Sequence, residues 1–139
     1  MKDTLVPGLT ASVQVEVDDS LTVPQVSSKY PGFAEMPSVF ATGYMVAFAE
    51  CAAMAVIADH LDDGESSVGI HVDISHTAAT AVGMTVTAQA ELIEANGRFL
   101  TFRVALHDDA GPIGEGTHQR AVIVREKFDA SVAKRAASA

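Results

Sequence analysis

A single cysteine, Cys51, stands in a chain of 139 residues. Neither an internal disulfide nor a cysteine-based zinc site can form from it. Tryptophan is absent, and two tyrosines and six phenylalanines are the whole aromatic complement, so a base-stacking surface is not expected. Basic residues are scarce: Lys+Arg total 9 against 18 Asp+Glu, a net charge of -9. That balance argues against a nucleic-acid backbone or an anionic membrane as the main partner. The sequence has no Gly-rich phosphate loop, no GxSxG, no HExxH and no CxxC, which removes several common catalytic signatures. Met1-Lys2-Asp3 leads into mixed polar sequence, so no secretory leader is expected and the expected compartment is the cytoplasm. The length fits one domain, expected over 1–139, large enough to bury a core without staples.

What is present is a set of alternating runs. Val13, Val15 and Val17 mark a first strand. Val68, Ile70, Val72 and Ile74 mark a second, their apolar face expected to turn inward, with His76 continuing the phase. Met84 to Leu92 and Leu100 to Leu106 alternate on either side of Asn96-Gly97, a hairpin signal. After a turn over 108–112, Ile113 to Val124 reads as the last strand. Pro24, Pro31, Gly32 and Pro37 break up 20–37, an irregular loop long enough to invite a functional reading. The Ala-rich tail from Asp129 to Ala139 is expected to fray.

The oddest stretch is VFATGYMVAFAECAAMAVIA over 39–58, with Glu50 its single charge. Its length could span a bilayer. Its flanks lack clustered Lys/Arg, Ala outnumbers Leu, and the rest of the chain patterns as a sheet, so a buried helix is expected instead, with no membrane partner. Cys51 then reads as inert core. A helix without a polar face must be covered on several sides. With one helix available, a curved antiparallel sheet must wrap it. The expected fold is α+β and of hot-dog type: one long buried helix in a sheet of about five strands. Such a sheet leaves edges and part of the helix bare, and a homodimer is the natural closure.

Three residues stand out chemically. Glu50 lies in mid-helix beside Val46, Ala47, Ala53 and Met54, where an ionised carboxylate must be paired, hydrogen-bonded or protonated. It is either a structural acid or a site residue. His76, on the expected inward face, is either a satisfied core histidine or the acid–base partner of Glu50. Thr42 stands near the helix start, as an N-cap or a turn hydroxyl. Eight helical positions separate Thr42 from Glu50 by about 12 Å. Either Thr42 lies in a loop that folds back, or the Glu comes from another subunit. Backbone amides around Gly43 would suit a developing oxyanion. His71 and His76 have a spacing that places them on opposite faces of one strand, so they form no two-His metal clip, and no metal is expected. His60 and His107 are expected to be solvated. His118 and Arg120 share a face of the last strand, and Arg120 serves a phosphate or carboxylate or makes a surface ion pair.

The stretches FATGYMVAFAE (40–50), GIHVDISHTAAT (69–80) and IGEGTHQRAVI (113–123), with the YPGFAEMPSVF loop, resemble the fluoroacetyl-CoA thioesterase group of the hot-dog thioesterases. The similarity covers almost the whole chain. It implies a catalytic Thr, Glu and His at Thr42, Glu50 and His76, a glycine near the thioester at Gly69, and a substrate-side arginine at Arg120. It also implies a homodimer with acyl-CoA sites at the subunit interface, and no cofactor beyond the CoA of the substrate. Phe33 is retained in the loop before the helix. Met36 stands where the fluoroacetyl-specific enzyme carries an aromatic lid residue, and methionine is the more adaptable side chain. The expected reaction is hydrolysis of a small acyl-CoA thioester. Two other readings are a hot-dog enoyl-CoA hydratase or dehydratase and a non-catalytic acyl-CoA or small-ligand binding module.

Overall fold

The computed structural model describes all 139 residues. Five antiparallel strands form one sheet: β1 (Thr10–Glu16), β2 (Glu65–Ile74), β3 (Thr85–Asn96), β4 (Phe99–Asp108) and β5 (Gly111–Val124). Their order is β1-β3-β4-β5-β2, so β1 and β2 are the edges. Helix α1 (Thr42–Ile57) lies between β1 and β2 in the chain and packs on the sheet, mainly over β3 and β1. Three short 3-10 turns fill the long loop before it. Asn96 pairs with Phe99, so the β3–β4 turn is Gly97-Arg98. The alternating residues meet the helix as expected: Val86, Ala88, Ala90 and Leu92 of β3 and Leu100, Phe102, Val104 and Leu106 of β4 are all buried.

Three expectations need correction. First, α1 is not buried all round. Met45, Ala49, Ala52, Ala53, Val56 and Ile57 are buried, a helical stripe on the sheet. Ala47, Cys51, Met54 and Ala55 are exposed on the other side. Cys51 is therefore not core in the single chain. By length and composition Thr42–His60 could cross a bilayer, but one of its faces is seated on the sheet.

Second, β2 does not present a buried face. Ile70 is 49% and Val72 43% exposed. The strand is an edge, and a register shift between Gly69 and His71 breaks its alternation. Third, the tail does not fray. Arg125–Ala137 form a second helix, α2, although none of its residues is buried. Its Glu126 near the N-terminus and Lys134 and Arg135 in the last turn complement the helix dipole.

Candidate active site

Thr42 and His76 come together at the start of α1. Thr42 is the first helical residue, and Ala41 occupies the cap position. The Thr42 hydroxyl therefore does not cap its own helix; its Oγ1 lies 2.7 Å from His76 Nδ1. Backbone pairing brings the two segments together. The Phe40 N–H donates to the Thr80 carbonyl, and Val39 bridges Ala81. On the other flank, the Ser75 and Thr77 N–H groups donate to the Glu115 and Ile113 carbonyls of β5 at 2.9 and 2.7 Å. His76 is thus held from both sides. Gly114 allows this approach, because a Cβ there would collide with the Ser75 carbonyl.

His76 Nε2 is the only buried side-chain nitrogen or oxygen without a hydrogen-bond partner. A buried polar atom left unpaired is costly, and functional sites are where such atoms occur. Beside this pair the first-turn amides of α1 lack intrahelical acceptors, and Gly43 borders open space.

Glu50 belongs to a second cluster. Arg120 Nη1 donates to Glu50 Oε2 at 2.7 Å. The arginine is 4% exposed and the glutamate side chain 34%. Arg120 Nε donates to Ser67 Oγ at 2.8 Å, and its Nη2 donates to the Ser67 carbonyl at 3.0 Å. His118 is fully buried beside them, with Nε2 3.1 Å from Arg120 Nη1 and 3.9 Å from Glu50 Oε2. Burial, opposed by the bond to the His71 carbonyl and aided by the Arg120 charge, pushes the His118 imidazole below its ordinary value. Gly69 faces this cluster: a Cβ there would lie 2.6 Å from Glu50 Oε2 and 3.2 Å from His118 Cε1.

The expected pairing of Glu50 with His76 does not occur within the chain. Glu50 turns to Arg120, while His76 turns to Thr42. Because Thr42 is helical, no folded-back loop shortens the separation along α1. Arg120 is not a surface residue; its guanidinium is buried while its Glu50 partner is half-buried, and all but one of its N–H donors are engaged by Ser67, Glu50 and His118. Phe33 is half-buried in the last 3-10 turn and meets Tyr30 edge-on at 5.8 Å between ring centroids. Met36 follows that turn, 46% exposed. Sequence reasoning missed Ser67 and the contacts of His118. The shared face of His118 and Arg120 was the one available signal; a serine on a strand carries none.

One helix seated on a curved five-stranded antiparallel sheet is the hot-dog fold, and a hydroxyl–imidazole pair at the helix start is equipped for nucleophilic or acid–base chemistry. The chain belongs to the fluoroacetyl-CoA-specific thioesterase (FlK) family, which it matches over residues 17–126. It is an acyl-CoA thioester hydrolase. It is 46% identical over 132 residues to the fluoroacetyl-CoA thioesterase of Streptantibioticus cattleyicolor, covering 95% of each chain. The solved structure of the fluoroacetyl-CoA thioesterase FlK superposes with a TM-score of 0.91 at 44% identity, covering 95% of this chain and 98% of that one. A thioesterase-superfamily protein of Thermus thermophilus shares the fold, with a TM-score of 0.87 at 24% identity over 98% and 96% of the two chains.

Proposed function

We propose that the enzyme hydrolyses small acyl-CoA thioesters as a homodimer, in which Thr42 and His76 of one protomer are completed by the partner's Glu50. The orphaned His76 Nε2, to which its own chain offers no acceptor, carries this reading. When Nδ1 accepts the Thr42 hydroxyl hydrogen, Nε2 bears a proton and needs an acceptor. A carboxylate is the natural one. Glu50 of the same helix lies too far along the axis, and its Oε1 is not used by the contacts to Arg120 and His118.

In this scheme His76 takes a proton from the Thr42 hydroxyl or from water, and the resulting oxygen nucleophile attacks the thioester carbon. Amides near Gly43 hold the oxyanion. The C–S bond then breaks, and the thiol leaves with the proton from His76; on the Thr42 branch a water deprotonated by His76 then attacks the acyl-Thr42 ester, releasing the free acid and returning the proton to the Thr42 hydroxyl. A thiol with an ordinary pKa of about 8.5 needs little acid assistance. The scheme uses side chains and water, with CoA as part of the substrate. Fluoroacetyl-CoA is the first acyl group to try, and the flexible, exposed Met36 favours acceptance of acetyl and propionyl groups as well.

The test mixes inactive Thr42→Ala and Glu50→Ala proteins under subunit exchange and measures thiol release from fluoroacetyl-, acetyl-, propionyl- and benzoyl-CoA. Shared sites regain turnover in the mixed dimers, because one of their two sites holds both native residues. No recovery, with exchange verified, means that each chain uses its own Glu50. Release confined to fluoroacetyl-CoA would restore strict selectivity despite Met36.

A further inference from the structure

His118 has no part in the scheme above, yet it is fully buried beside Glu50. Its hydrogen bonds fix its chemical state. Nδ1 lies 2.8 Å from the His71 carbonyl oxygen, which can only accept, so Nδ1 carries the hydrogen. Nε2 lies 3.1 Å from Arg120 Nη1, which can only donate, so Nε2 offers a lone pair. His118 is therefore neutral, in the Nδ1–H tautomer. Arg120 Nη1 has two hydrogens; one goes to Glu50 Oε2 at 2.7 Å and the other to His118. The Ser67 contacts hold the rest of the guanidinium. The charged or titratable groups facing the ring are Glu50 from α1, Arg120 from β5 and His71 from β2. Phe102 of β4 stacks on it with 6.4 Å between ring centroids.

We propose that His118 is a positioning residue for Glu50: its Nε2 lone pair orients Arg120 Nη1, and Arg120 in turn aims the Glu50 carboxylate across Gly69. The inference rests on the reading of Glu50 as a site acid. A protonated His118 would set a second cation against Arg120 and remove the acceptor that turns its Nη1. Gly69 supplies the matching absence of a side chain, since a Cβ there would press on Glu50 and His118 together.

Two isosteric variants separate positioning from packing. His118→Asn keeps a donor for the His71 carbonyl and loses the acceptor for Arg120. His118→Gln places an amide oxygen where Nε2 was and loses the donor. Thiol release from the preferred acyl-CoA should fall about tenfold or more in kcat for His118→Asn, with KM little changed, and His118→Gln should recover most of that loss. Thermal stability should not follow this order, because His118→Gln is the variant that orphans a backbone carbonyl. Equal kcat in the two variants overturns the proposal. So does 15N NMR of the wild-type imidazole showing a protonated ring or the Nε2–H tautomer at neutral pH, a measurement independent of how the variants fold. A fully active Glu50→Gln protein would instead remove the catalytic role of Glu50, while the NMR result still reports on the His118–Arg120 geometry.

Discussion

Gly69 has no side chain, and the placement of Glu50 depends on that. The carboxylate oxygen occupies space that a Cβ would take, at 2.6 Å, and the neighbour is the end of a glutamate already tied to Arg120. Gly69→Ala must therefore push Glu50 aside or break its ion pair. The expected result is a loss of kcat of about 100-fold, the scale set by an ångström of misplacement. Steady-state thiol release beside a circular dichroism melt checks it. A normal kcat would mean that the carboxylate position is not critical. At this scale the sequence pointed to Thr42, Glu50, His76 and Gly69. It did not show which side chain each one meets, because contacts between positions such as 50 and 120 arise only on folding.

The connection from β2 to β3 carries His76 and is itself anchored by a buried side-chain hydrogen bond. Thr80 Oγ1 donates to Asp108 at 2.7 Å, both residues being buried. Burial alone would raise the Asp108 carboxyl, but bonds from Thr80 and the amides of Ala110 and Gly111 outweigh it and lower the pKa. A lowered folded pKa contributes stability above the unfolded value of 3.8 and loses it as pH falls through the folded value. Thr80→Val should cost about 1–3 kcal/mol at neutral pH. It should also flatten the acid limb of stability against pH, read by urea unfolding from neutral pH into the range below 3.8. An unchanged acid limb would place the effect elsewhere. The Thr80 carbonyl also accepts the Phe40 N–H just before α1, so the same variant should loosen the Thr42–His76 contact. The strand alternation on β3 and β4 was legible because both strands lie over the helix. That on β2 misled, since an edge strand with a bulge need not bury the face its pattern marks.

At the scale of the whole molecule, apolar side chains are left bare on both the edge strand β2 and the helix α1. Ile70 and Val72 on β2, and Met54 with Cys51 on α1, are exposed. An open strand edge beside uncovered apolar side chains fits a second copy of the chain. Ile70→Lys with Val72→Lys should give a folded monomer by sedimentation and abolish thiol release, since the proposed site needs two chains. A double variant that stays dimeric and active would move the interface to another face. The net charge of -9 adds repulsion between copies, so association should strengthen as salt rises if the apolar edge is the contact.

The sequence by itself determined the hot-dog fold, because strand alternation and an apolar helix with one acid are local pattern; its resemblance to a known family supplied the thioester chemistry and the roles expected of Thr42, Glu50 and His76. Only the tertiary structure decided that within one chain Glu50 pairs with Arg120 and not with His76, that His118 is buried beside them, that Cys51 is exposed and that the tail is helical. Those outcomes depend on which strands become edges and on where side chains distant in sequence meet, and a linear pattern does not encode either.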